Sequence, residues 1–231
     1  MPWRLAMKGQ DILLLLKLVS ISKRDRTGDD YLNSPWQDWE TELISRSPES
    51  TEEAIELGAD LHLRAIATHE HSSAAQYGVR ALAEMTGISK SQVSLSLTRC
   101  YANGLAYINR ISAIPTVNTV ALGEFIIYGL KYVFPAYPGA LTRGIATAWA
   151  APVLSNSIIS GGDIPLVWPD PRGNTKGQAV EPIYPTVPAA VRKDPMLYSF
   201  LALIDSIRIG RAREKAIACD LLVKALERKH V

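Results

Sequence analysis

Hydroxyl, amide and cationic side chains follow one another closely in the stretch SKSQVSLSLTR, which runs from Ser89 to Arg99. Hydroxyls both donate and accept hydrogen bonds and cations attract phosphate, so this set suits contact with base edges and phosphates. Val93, Leu97 and Cys100 recur at helical spacing and form a predicted inward face. The residues predicted to contact DNA are Ser89, Lys90, Ser91, Gln92, Ser94, Leu95, Thr98 and Arg99.

Two of these side chains have a more specific predicted role. Lys90 lies at the start of the predicted helix, where the free backbone N–H groups also favour a phosphate. Gln92 can form a bidentate pair with adenine, provided that a helix cap does not hold its side chain. Ser89 and Gln92 fit a capping-box pattern. A serine-rich outer face forms helix poorly, so a merely solvated helix is the less favoured alternative.

A preceding helix and a tight turn are needed to present this face. The pattern predicts one helix over about 76–86 and a second over 90–103. Gly87 tolerates the left-handed backbone of a turn, and Ile88 is placed to fill the angle between the helices. Ala83 is small enough for close packing of the second helix.

The stretch VRALAEMTGISKSQVSLSLTRCYANGLA resembles the helix-turn-helix core of bacterial winged-helix transcriptional regulators of the MarR-like type, over about residues 77–106. The resemblance implies a second helix that reads the major groove with Ser89, Lys90, Ser91, Gln92, Ser94 and Thr98. Leu95 stands where such regulators often carry arginine. The segment AYINRISAIPTVN after Leu105 predicts a linker or short strand rather than a clear wing hairpin.

The remaining pattern predicts a mainly α fold: a helix-turn-helix domain over 1–115, with or without a wing, and a helical region over 116–231 with Pro-rich loops. A Leu-rich helix over 9–22 is predicted to be buried on more than one side. Residues 135–188, rich in Gly and Pro, are predicted to form long loops. Asp194 is predicted to cap a helix that is followed by a last one over about 210–229.

Charge is distributed unevenly although the whole chain carries a formal net charge of only +2. Residues 24–60 have a net charge of −8, and they fall in a predicted acidic insertion over 24–75 of the first domain. Such a segment repels DNA, so it must point away, bind a partner or shield the reading face. An ordinary solvated acidic surface is the favoured interpretation.

Other candidate sites are weaker. Tyr132, Arg143, Trp149 and Trp168 could line a pocket for an aromatic or anionic effector, although pinning loops to the core is the favoured role for these aromatics. His69 and His71 have too few neighbouring ligands for a metal site, so neither a metal nor a cofactor is predicted. No catalytic motif occurs in the sequence, so no enzymatic activity is predicted.

The function expected from the sequence is that of a cytoplasmic, dimeric regulator of bacterial type that binds double-stranded DNA, most simply as a repressor. The Leu-rich helix and the two C-terminal helices are the candidate dimer surfaces. No membrane association is expected, because the run DILLLLKLVSI is about half the roughly 20 residues that cross a bilayer. One alternative is an antitoxin or adaptor whose acidic segment or C-terminal region binds a protein, with autoregulatory DNA binding. The other is an enzyme that acts through the second half.

Overall fold

A computed structural model describes residues 6–27, 74–155 and 164–227 of the chain. Most of the predicted acidic insertion, including His69 and His71, lies outside the described residues. The described part is mainly helical with small sheets, which confirms the predicted fold class at that level.

The described helices are α1 (Gly9–Thr27), α2 (Val79–Thr86), α3 (Lys90–Ala102), α4 (Thr119–Glu124), α5 (Leu130–Val133), α6 (Pro152–Ser155), α7 (Val187–Val191), α8 (Pro195–Ile209) and α9 (Ala212–Leu226). A π-helical turn, Phe125–Gly129, joins α4 to α5, and a 3₁₀ turn, Ala148–Ala150, precedes α6. The described strands are β1 (Ala106–Ile108), β2 (Pro115–Val117), β3 (Leu141–Thr147), β4 (Leu166–Pro169) and β5 (Thr175–Ala179).

Helix α1 lies at the centre of the molecule. Every residue from 10 to 21 is buried, and α1 contacts α2, α3, β2 and α8. This burial confirms the prediction that the Leu-rich helix is covered on more than one side. The prediction that it forms a dimer surface is wrong, because this chain's own helices already cover it.

Strands β1 and β2 form an antiparallel hairpin directly after α3, with Ala106 opposite Val117. The turn between them is held by Asn109, whose Oδ1 accepts the N–H groups of Ile111 and Ser112 at 2.8 and 3.2 Å. The sequence prediction missed this hairpin because three-residue strands are too short for an alternating pattern to be recognised.

Strands β3, β4 and β5 form a second small sheet in which each strand pairs with both others. Strand β3 runs antiparallel to β4 and β5, and β4 runs parallel to β5. The prediction of loops throughout 135–188 is therefore wrong. A Cβ atom on Gly144 would lie 2.0 Å from the carbonyl oxygen of Trp168, so glycine serves close approach of two strands here rather than a loop.

Helix α8 begins where the sequence predicted. Asp194 Oδ1 accepts the backbone N–H of Leu197 at 3.0 Å, and Pro195 follows as the first helical residue. Helix α9 was predicted over 210–229 and ends earlier, at Leu226. One hydrophobic cluster joins residues of α1, α2, α3 and β2 to residues of α8 and α9, so both predicted regions contribute to the same core.

A buried ion pair connects α1 to α8. Lys17 Nζ lies 2.7 Å from Asp194 Oδ2, and the two side chains are 2% and 1% exposed. Ser20 also donates to this carboxylate, and Arg24 Nη2 lies 3.1 Å from it. Burial by itself raises the pKa of Asp194, but the Lys17 ammonium and the hydrogen bonds from Ser20 and Leu197 hold that pKa below its ordinary value.

Replacing Asp194 with alanine is expected to lower the free energy of unfolding by about 3–5 kcal/mol, because Lys17 then stays buried without its partner and α8 loses its cap. Lys17→Met is expected to cost less, since the carboxylate keeps Ser20, Arg24 and the Leu197 N–H. Urea unfolding followed by circular dichroism measures both, and equal losses would contradict this account. Because the pKa of Asp194 is lowered on folding, its contribution is present above the unfolded pKa and is lost as the pH falls through the folded one.

Candidate nucleic-acid interface

Helices α2 and α3 are joined by a tight turn over residues 87–89. Gly87 has a left-handed φ of 70°, and its N–H donates to the Ala83 carbonyl. Ile88 is 1% exposed and fills the angle between the helices, as predicted. Ser89 caps α3 by accepting the Gln92 backbone N–H at 3.4 Å.

The outer face of α3 is close to the predicted one. Leu95 is 51% exposed, and Gln92 is partly exposed. The opposite side holds the buried Val93, Leu97 and Cys100. The exposed members of the predicted set are Ser89, Lys90, Ser91, Ser94, Leu95 and Thr98.

Two hydroxyl groups on this face already use their hydrogen atoms within the helix. Ser94 Oγ donates to the Lys90 carbonyl at 3.2 Å, and Thr98 Oγ1 donates to the Ser94 carbonyl at 3.0 Å. Their oxygen lone pairs remain available from outside. In this rotamer, Ser94 and Thr98 therefore offer acceptors rather than donors.

Arg99 does not belong to the outer face, and its prediction as an exposed residue is wrong. It is 6% exposed, and its Nε and Nη2 atoms donate to the Asp11 carboxylate at 2.9 and 2.5 Å. Nη2 also donates to Ser96 Oγ at 3.0 Å. The hydrogen bonds from Arg99 to Asp11 raise the pKa of the guanidinium. Helix α1 covers this flank of α3, which no pattern within α3 reveals.

Gln92 is held by a residue that the sequence analysis did not single out. Gln10 Nε2 donates to Gln92 Oε1 at 3.0 Å and to Ser96 Oγ at 2.9 Å. The side chain of Gln92 thus completes a contact with α1 instead of the reciprocal half of a capping box. Gln10 is separated from these partners by 82 and 86 residues, so local spacing carries no signal for the contact.

The β1–β2 hairpin adds a second exposed element beside α3. Ile111 at its tip is 98% exposed, and the neighbouring Arg110 is exposed with no ion pair to the described residues. With Arg99 neutralised by Asp11, the exposed charges over 76–110 are Arg80, Lys90 and Arg110 against Glu84. The surface is basic, although less so than the sequence count suggested.

A loop from the second half braces the turn. Thr186 Oγ1 donates to the Thr86 carbonyl at 2.6 Å, at the last residue of α2. A Cβ atom on Gly87 would lie 3.0 Å from Thr186 Cβ. The angle between α2 and α3 is therefore supported from outside as well as by Ile88.

The residues of the predicted effector pocket differ widely in exposure. Tyr132 is 74% exposed and Arg143 is exposed, Trp149 is partly buried and Trp168 is 1% exposed. Trp168 Nε1 donates to the buried Asp205 carboxylate at 2.6 Å, so this ring fastens β4 to α8. Burial raises the pKa of Asp205, which Trp168 and other partners oppose. A ligand cannot touch Trp168 without rearrangement, which agrees with the favoured role of pinning.

The buried Cys100 behaves as an apolar packing residue, because burial raises the pKa of its thiol to about 12. Across 6–27, 74–155 and 164–227, no group of three or more His, Cys, Asp or Glu side chains is arranged to hold a metal ion. In the same ranges, the helices are all too short or too polar to span a membrane.

No protein-family model matches this chain, and no curated protein or solved structure matches it either. The resemblance to MarR-like regulators is thus carried by the motif around residues 77–106 alone. The functional argument depends on what α2, α3 and the hairpin expose.

Gly87→Ala is expected to destabilise the protein more than Gly104→Ala. Both glycines have a left-handed backbone, with φ of 70° and 72°, so both variants bear a cost of about 1–2 kcal/mol. Only the new Cβ at Gly87 meets Thr186, whereas nothing lies within 4 Å of a Cβ at Gly104. Thermal unfolding compares the two, and an equal loss of stability would show that Thr186 does not brace the turn.

Proposed function

We propose that this protein binds double-stranded DNA sequence-specifically as a winged helix-turn-helix regulator, with α3 in the major groove. The observation that carries the proposal is the exposed polar face of α3, opposite a fully buried face. The β1–β2 hairpin follows α3 directly and supplies the wing in this proposal.

The exposed residues of α3 suit the major groove chemically. Ser94 and Thr98 offer acceptors that match the exocyclic amino groups of cytosine and adenine. Leu95, where related regulators often have arginine, provides an apolar contact for a thymine methyl group. Lys90 and the N-terminus of α3 favour a phosphate, which fixes the position of the helix without reading sequence.

The hairpin contributes charge at a second point. Arg110 at its tip is free to approach phosphates or the minor groove beside the groove that α3 enters. Two separated cations, Lys90 and Arg110, then set the orientation of the domain on the duplex.

A dimer remains part of the proposal, because one recognition helix with few cations supplies modest affinity and two-fold pairing on a palindromic site multiplies it. Helix α1 is buried over residues 10–21, and α8 is buried from Leu197 to Ile207 except at Ser199. Of the predicted dimer surfaces, only α9 keeps an exposed face, on which Val223 is 41% exposed. Repression would follow from occlusion of a promoter by the bound dimer.

Lys90→Ala and Arg110→Ala are each expected to weaken binding to every duplex and to reduce the slope of log affinity against log salt by about one, because each removes one phosphate contact. Fluorescence anisotropy with a labelled duplex from upstream of the protein's own coding sequence, and with a scrambled duplex, measures this at several salt concentrations. The wild type is expected to prefer the upstream duplex.

Lys176→Ala is the matched control, since Lys176 is an exposed cation on β5, outside both α3 and the proposed dimer surface on α9, and its loss should leave the slope unchanged. An identical effect of all three substitutions would move the interface away from α3. Absence of wild-type binding at low salt would overturn the proposal. It would favour the protein-partner alternative, which draws support from the exposed aromatic rings of Tyr128, Tyr132 and Tyr137.

A further inference from the structure

We propose that Gln10, a buried residue of α1, makes Gln92 read guanine in preference to adenine. This inference rests on the proposed DNA-binding function and concerns the direction of one hydrogen bond. Gln10 is 6% exposed, so it is a positioning residue that acts through Gln92.

The donors and acceptors beneath α3 form a chain with a defined direction. Asp11 accepts from Arg99, which can only donate, and Arg99 also donates to Ser96 Oγ. Gln10 Nε2 has two hydrogen atoms, and it donates one to Ser96 Oγ and the other to Gln92 Oε1. In this arrangement both lone pairs of Ser96 Oγ accept hydrogen bonds, and the nitrogen end of the Gln10 amide faces α3.

This chain decides which end of the Gln92 amide faces outward. The two ends of an amide point in different directions, so an oxygen directed at Gln10 turns Nε2 away from α1. Nε2 of Gln92 has no hydrogen-bond partner among the described residues. Gln92 therefore presents hydrogen-bond donors at the outer face of α3.

The base that this donor group fits is guanine. Guanine offers two acceptors in the major groove, N7 and O6, whereas adenine offers the N7 acceptor and the N6 donor. The bidentate pair of glutamine with adenine needs a free amide oxygen to accept from N6. Because Oε1 is turned towards Gln10 and away from the bases, the adenine pair loses the hydrogen bond from N6, while the donors of Nε2 remain available to guanine.

The test measures which base each protein variant prefers at each position. Each variant selects the duplexes that it binds from a pool that is randomised across the bound site. The position that Gln92 faces is the one whose preference disappears in Gln92→Ala. At that position the wild type is expected to favour guanine. Gln10→Met keeps the side-chain volume but cannot donate, so it frees Oε1 and should move the guanine-to-adenine ratio of affinities about tenfold towards adenine, the size of one bidentate contact.

Ser96→Ala is the matched control. It removes the other partner of Gln10 and is expected to lower stability, but it leaves the bond between Gln10 and Gln92 in place. Its base preference should therefore equal that of the wild type. Thermal unfolding measures the loss of stability, and affinity ratios on the same samples measure the base preference. A shift like that of Gln10→Met would mean that general loosening, not hydrogen-bond direction, governs the preference.

Three other outcomes overturn the inference while leaving DNA binding intact: a wild-type preference for adenine at that position, no change of any preference in Gln92→Ala, or an unchanged ratio in Gln10→Met. The first two need only the wild type and Gln92→Ala, so they decide the matter even where Gln10→Met does not fold. Failure of the wild type to bind any duplex would instead overturn the proposed function itself.

Discussion

Helix α1 contributes an acidic residue to one buried ion pair and a basic residue to another, and the arrangement of the remaining helices depends on these two pairs. Near its start, Asp11 holds Arg99 of α3, and near its middle Lys17 holds Asp194 at the start of α8. The residues between are aliphatic and fully covered, and apolar contacts of this kind have no preferred direction. Burying charge is costly, and a buried pair often adds little net stability. We therefore interpret these pairs as fixing the register of α1 against both halves of the molecule.

The same arrangement explains why the candidate interface is polar but weakly charged. Arg99, one of the cations that were predicted to contact DNA, donates to Asp11 instead and holds α3 in place. The cations left at the surface lie on α2, at the start of α3 and at the hairpin tip, and the side chains exposed along α3 after Lys90 are uncharged. Under the proposed function, such a face attracts DNA in general only weakly, and discrimination between sequences would come from hydrogen-bond direction and shape. Pairing of two copies on one site would then compensate for the modest affinity of each.

A structural feature was predictable from the sequence where the residues that form it lie close together along the chain. The turn at Gly87, the cap at Ser89 and the cap at Asp194 were found because each pattern spans only a few residues. The orientation of Arg99 and the role of Gln10 were missed, because their partners lie more than eighty residues away. The prediction of loops over 135–188 failed at Gly144, because glycine is equally suited to a loop and to the close approach of two strands.

The exposed side chains of this surface depend on the core to different degrees. Lys90 and Arg110 are exposed, so the presentation of their charges does not depend on a buried partner. Gln92 is connected through Gln10, Ser96 and Arg99 to a buried ion pair, so the direction of its amide depends on buried residues as well as on its own position in α3. The hydrogen-bonding character of the face is thus a property of the α1–α3 interface as much as of α3.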